Sequence, residues 1–134
     1  MVAPLAVAAT IVVTAAHGVS ARVPEGWRVL DGRLTPCTNP IERLDVAGPG
    51  GALVMLQEAL DRAYVSRFPR KSAHVAVRGR PSYLSCCGAP GARKGWVLPF
   101  RAGGRSFYAY VYPGREGRLA EALSILDSLR VART

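Results

Sequence analysis

WVLPFRAGGRSFYAYVY, residues 96–112, decides the fold. Two runs rich in apolar and aromatic residues, Trp96-Val-Leu-Pro-Phe100 and Arg105-Ser-Phe-Tyr-Ala-Tyr-Val-Tyr112, flank Ala102-Gly103-Gly104. β-Branched and aromatic residues suit a pleated, half-buried surface, and a glycine-bearing break between two such runs signals a hairpin. Side chains alternate across a strand. Phe107, Ala109 and Val111 therefore share one face, and Tyr108, Tyr110 and Tyr112 share the other.

Working outward, the segment after the hairpin changes period. Leu119, Leu123, Leu126 and Leu129, with Ala122 and Ile125, define an amphipathic helix from about 117 to 130 whose Leu123 and Leu126 face the core. Before the hairpin the reading is of strands. Val19-Ser-Ala-Arg-Val23 alternates, Pro24-Glu-Gly26 turns the chain, and Trp27 to Leu30 resumes an extended path. After the Asp31-Gly32 turn and a loop from Leu34 to Pro40, Ile41 to Val46 reads as a strand. Gly48-Pro-Gly-Gly51 is then a tight hairpin connection. Ala52 to Phe68 fits a helical face or a buried strand, and the glycine turn before it favours a strand over 52–58. His74-Val-Ala-Val-Arg78 alternates like another strand, and Tyr83 to Cys86 continues the sheet after Pro81. The expected fold class is α+β, a mainly antiparallel sheet with a C-terminal helix packed on it. Strands so continuously apolar need cover on more than one face.

At 134 residues the chain has the length of one domain, and no linker or repeat divides residues 17–134. Its formal charge is +9, and sixteen of its eighteen cations are Arg, the exceptions being Lys71 and Lys94. Such an excess favours an anionic surface or a protein partner. Residues 1–16 carry no charged side chain. They read as the apolar part of an export signal, as a first strand over Thr10-Ile-Val-Val-Thr14, or as both. The expected location is secreted or cell envelope, with the cytoplasm as alternative. Cys37, Cys86 and Cys87 lack zinc-ligand spacing and are the disulfide candidates. A bridge from Cys37 to Cys86 or Cys87 closes a loop of about 50 residues, worth roughly 4 kcal/mol on the chain-entropy model. Three reduced thiols are the alternative.

Several landmarks recur together: Gly18-Val-Ser20, Val23-Pro-Glu-Gly-Trp27, Leu34-Thr-Pro-Cys37, Cys86-Cys87 and Phe107-Tyr-Ala-Tyr-Val-Tyr112. On them, residues 18 to 131 resemble a group of small, often exported bacterial proteins of uncharacterised function. The opening strand with its Pro-x-Gly-Trp unit is similar to the start of PsbP-like domains. That resemblance implies an α/β/α sandwich of the kind found in lipoproteins and accessory factors. Neither resemblance supplies a catalytic residue.

No arrangement of residues carries a stated chemistry. His17 and His74 belong to no mechanistic motif, and no cofactor or metal set is recognisable. A thiol enzyme or redox protein would use Cys86 or Cys87, with His74 as the base. Glu42 and Glu58 read as surface or rim ion-pair residues. The strongest binding candidate is the tyrosine stripe Tyr108, Tyr110 and Tyr112 with Arg101, Arg105 and Arg115 around it. Rings on a basic sheet stack nucleobases in some modules. Here the RNA-recognition pattern fails, with Ser106 in place of a cation and Pro113 in place of an aromatic residue, so nucleic acid is the lesser expectation. The leading expectation is a non-catalytic exported or envelope binding domain with a basic surface.

Overall fold

The structure is a computed structural model that describes residues 10–30, 42–59, 68–84 and 93–133. In chain order its strands are β1 (Thr10–Thr14), β2 (Val19–Pro24), β3 (Arg28–Val29), β4 (Arg43–Ala47), β5 (Leu53–Glu58), β6 (Ser82–Tyr83), β7 (Lys94–Ala102), β8 (Arg105–Tyr112) and β9 (Arg130–Val131). The helix α1 (Leu119–Asp127) lies between β8 and β9. Six strands form one sheet in the order β3-β4-β5-β8-β7-β6, and three form a second in the order β1-β2-β9. Every strand pairing is antiparallel. The fold is α+β, antiparallel sheet with the C-terminal helix packed on it.

The decisive hairpin forms with Ala102 opposite Arg105. Gly103 and Gly104 both have positive φ, 59° and 75°, the conformation that a two-residue turn matching the strand twist requires. Val13, Val19, Ala21 and Val23 of the small sheet, with Ala122, Ile125 and Leu126 of α1, pack against Phe107, Ala109 and Val111 of β8. The second face of the large sheet is also covered, where Leu53, Met55 and Tyr112 form a smaller cluster with Leu30, Leu84 and Tyr110. All six residues of β5 are buried, which is why its apolar run shows no alternation.

Three expectations are corrected. No strand forms over 74–78. The β7 edge facing that segment bonds outward at Arg101, whose N–H donates to Pro69 O (2.7 Å) and whose carbonyl accepts from Lys71 N (2.9 Å). Two residues earlier the same edge presents Pro99, which has no N–H, so the ladder stops there. The helix is shorter than 117–130: it ends at Asp127 with Ser128 as its C-cap, whose N–H donates to Ser124 O (3.1 Å), and Leu129 leads into β9. Leu126 is buried, but Leu123 is only half-buried, and Ala122 and Ile125 take the inner positions. Cys37, Cys86 and Cys87, and hence the expected disulfide, lie outside the described residues.

On the second face one carboxylate is buried. Asp45 accepts from Arg43 Nε (2.9 Å), while its Oδ1 has no hydrogen-bond partner. Burial raises its pKa above the ordinary carboxyl value, against the opposing pull of Arg43. The folded chain therefore holds the proton more readily than the unfolded chain. The stability from this group is fully present below the unfolded pKa and is lost as pH rises through the folded one. Asp45→Asn is expected to remove that fall, seen as a flatter plot of unfolding free energy against pH above about 4 by denaturant titration. An unchanged slope would refute the assignment. Leu126→Ala should cost roughly 2–5 kcal/mol in the same titration at neutral pH. A loss below about 1 kcal/mol would mean that α1 is peripheral.

Candidate anion-binding site

Period two puts Arg105 on the same side of β8 as Phe107, facing the core. The structure places it there, 5% exposed, and not on the outward basic face expected for it. Its Nε donates to Glu58 Oε2 (3.0 Å), and its Nη2 donates to Glu58 Oε1 (2.6 Å) and Glu42 Oε2 (3.0 Å). Its Nη1 donates to the carbonyls of His17 (2.7 Å) and Ala132 (3.0 Å). All five guanidinium N–H groups are used. The hydrogen bond to Glu58, more than any other influence, raises the Arg105 pKa further. Glu42 and Glu58, expected at the rim, are buried with it, and the other oxygen of Glu42 accepts the backbone N–H of His17. Arg105 therefore has no donor left for a ligand.

The tyrosines are not an open platform either. Tyr112 is 1% exposed and its buried hydroxyl has no hydrogen-bond partner, a setting that raises its pKa. Tyr108 and Tyr110 are half-buried; Tyr108 packs edge-on to Phe68 at 4.9 Å between ring centroids. Arg101 and Arg115 are exposed but far apart. Arg101 pairs with Ser106 near the hairpin turn, whereas Arg115 follows the far end of β8. At strand rise the six steps from Ser106 to Tyr112 span roughly 20 Å.

Around Arg101 the cations do gather. Arg70 and Arg101 are in register across a parallel bridge. The Nε of Arg101 donates to Phe68 O (2.7 Å), which holds the guanidinium in place. Among the described residues neither of its Nη groups has a partner. A groove of about 760 Å³ opens here, lined by Arg70, Lys71, Arg101 and Arg133 with the glycine turn and Val131. It meets a second groove of about 520 Å³ that shares Arg70 and Lys71 and adds Arg78 and Trp96. Among the described residues no acidic residue lines either groove. Asp127 accepts the N–H of Val75 (2.6 Å) and lies 3.9 Å from the His74 ring.

Of the residues singled out in the sequence, the structure brings Arg101 alone into this groove. Sequence reading missed Arg70, Lys71 and Arg133. The Arg-Lys doublet after Pro69 was the available signal, but nothing in the sequence pairs it with Arg101. His74 is exposed at the surface, and Cys86 and Cys87, its expected partners, lie outside the described residues. Among the described residues no three His, Cys, Asp or Glu side chains are placed to hold a metal ion. No described helix is long and apolar enough to cross a membrane. No family model, no curated protein and no solved structure matches the chain.

Arg105→Ala would leave two buried glutamates without their cation, and removing one partner of a buried ion pair typically costs about 3–5 kcal/mol. That loss is expected in the unfolding free energy. The triple change Arg105→Met, Glu42→Gln, Glu58→Met should recover much of it. A loss below about 1 kcal/mol for Arg105→Ala would show that the cluster is solvated in solution.

Proposed function

We propose that this chain is a non-catalytic binding domain, exported or associated with the cell envelope, that holds an anionic phosphodiester polymer in the groove at Arg70 and Arg101. The observation that carries this reading is the bridge that puts these two arginines in register. Like charges directly opposite one another in a sheet destabilise it, and an anion between them removes that cost. Lys71 and Arg133 line the same groove without a compensating acid. Guanidinium forks match the oxygens of phosphate, and Arg is favoured wherever such planar recognition matters.

Four cations in the groove, set against a tyrosine stripe that is largely covered, favour a polymer read by its phosphates over one read by its bases. Nucleobase readers need outward aromatic rings, and the tyrosine face is largely covered. The resemblance of residues 18 to 131 to exported bacterial proteins supports the envelope location.

The test is binding of poly(glycerol phosphate), single-stranded DNA and anionic lipid vesicles to the intact chain and to the variant Arg70→Ser, Arg101→Ser. The glycerol phosphate polymer should bind best. Its affinity should fall at least about tenfold on raising salt from about 0.05 M to about 0.3 M, as screening shortens. The double variant should lose a similar factor. Absence of binding, or binding unchanged in the variant, would overturn the reading. Tighter binding of DNA would move the assignment to nucleic acid.

A further inference from the structure

The other end of β7 carries a separate cluster of cations. Arg93, Lys94 and Arg115 line an open pocket of about 500 Å³ whose walls include Gly50, Gly51 and Tyr112. The seven strand steps from Lys94 to Arg101 put it roughly 23 Å from the groove described above. It shares no cation with that groove.

Each basic residue reaches the pocket from a different attachment. Nη1 of Arg93 donates to Gly51 O (2.7 Å), and no other described group holds the rest of that guanidinium. Nζ of Lys94 lies 5.0 Å from the centroid of the Tyr83 ring, within reach of a cation–π contact. The backbone N–H of Arg115 donates to Gly50 O (2.8 Å), which fixes where its side chain starts. Among the described residues no acidic residue lines the pocket. Glu116 lies beside Gly50 and is paired with Nε of Arg118 at 3.5 Å.

The wall is rigid for a steric reason. Gly50, Gly51 and Gly114 all have positive φ. A Cβ on Gly114 would lie 2.5 Å from Ala52 N and 2.7 Å from Gly50 O. The turn after β8 and the turn before β5 are thus pressed backbone to backbone. Cations mounted on such a wall lose little freedom on binding, which is what preorganisation contributes to affinity.

We infer that this pocket is a second, independent site, for a compact tetrahedral dianion of the phosphomonoester class. Three cations from two segments, the start of β7 and the turn after β8, supply more charge than one carboxylate neutralises. Two arginine forks and an ammonium together can contact several oxygens of one phosphate, whereas a planar carboxylate presents two.

Inorganic phosphate titrated into the intact chain at constant ionic strength, followed by amide NMR, tests this. Saturable shifts are expected at Gly50, Gly51, Arg93, Lys94 and Arg115. Acetate at the same ionic strength should need at least about tenfold more ligand, an affinity difference of about 1.4 kcal/mol. Arg93→Gln, Arg115→Gln should weaken phosphate binding by a similar factor, with an unchanged unfolding midpoint showing that the fold is kept. Arg70→Ser, Arg101→Ser should leave it intact, so this site stands or falls apart from the polymer groove. No saturable shift, shifts unaltered by the Arg93 and Arg115 changes, or acetate binding as tightly as phosphate would each overturn the inference.

Discussion

The buried guanidinium of Arg105 ties the ends of the fold together. From the start of β8 it reaches the last residue of β5 (Glu58), the residue before β4 (Glu42), the turn between β1 and β2 (His17) and the chain after β9 (Ala132). A charge taken out of water costs several kcal/mol unless its donors are matched, and here all five are. Beyond this cluster the three-stranded sheet is held by apolar contact, which is not directional, and by the Ser128 hydroxyl, which bonds the Arg22 backbone of β2. The cluster supplies the direction, because only one placement of the β1–β2 turn and of the C-terminal segment satisfies the fork.

The same arrangement explains how a modest excess of cations becomes a strongly basic exterior. Several of the described carboxylates are used inside the fold or in short pairs. Glu42 and Glu58 bind Arg105, Asp45 binds Arg43, and Glu121 binds Arg118 and the indole N–H of Trp27. The cations along β7 and its flanks have no such partners in their grooves. Arg70, Lys71, Arg101 and Arg133 gather at one end, and Arg93, Lys94 and Arg115 at the other. The basic character of the two grooves is then a property of where the acids are not, more than of the net charge itself.

Burial on both faces of the large sheet also has a cost. Asp45 Oδ1, Gln57 Nε2 and the Tyr112 hydroxyl are buried without hydrogen-bond partners, all on the face away from α1. Groups of this kind are normally paired, and each unpaired one typically weakens a fold by about 1–3 kcal/mol. The face toward α1 and the small sheet is better matched, since its charged groups close on one another around Arg105.

Sequence alone determined the β7–β8 hairpin, the sorting of β8 into a phenylalanine–alanine–valine side and a tyrosine side, and the C-terminal helix, and its glycine turn favoured a strand over 52–58 where a helical face also fitted. Each is a local consequence of period, glycine placement or β-branching, and local signals survive without knowing the neighbours. Period two also put Arg105 with Phe107, although its charge argued for water. Only the tertiary structure decided that question, because a guanidinium can be buried when Glu42, Glu58 and two carbonyls, distant in sequence, converge on it. The same holds for Tyr112, sealed by Leu53 and Met55, and for residues 74–78, whose alternation found no edge to pair with beside Pro99. Arg70 and Arg101, thirty-one positions apart, came to line one groove for the same reason. A pattern along the chain assigns a side chain to a face, but what covers that face is set by contacts that the chain makes only on folding.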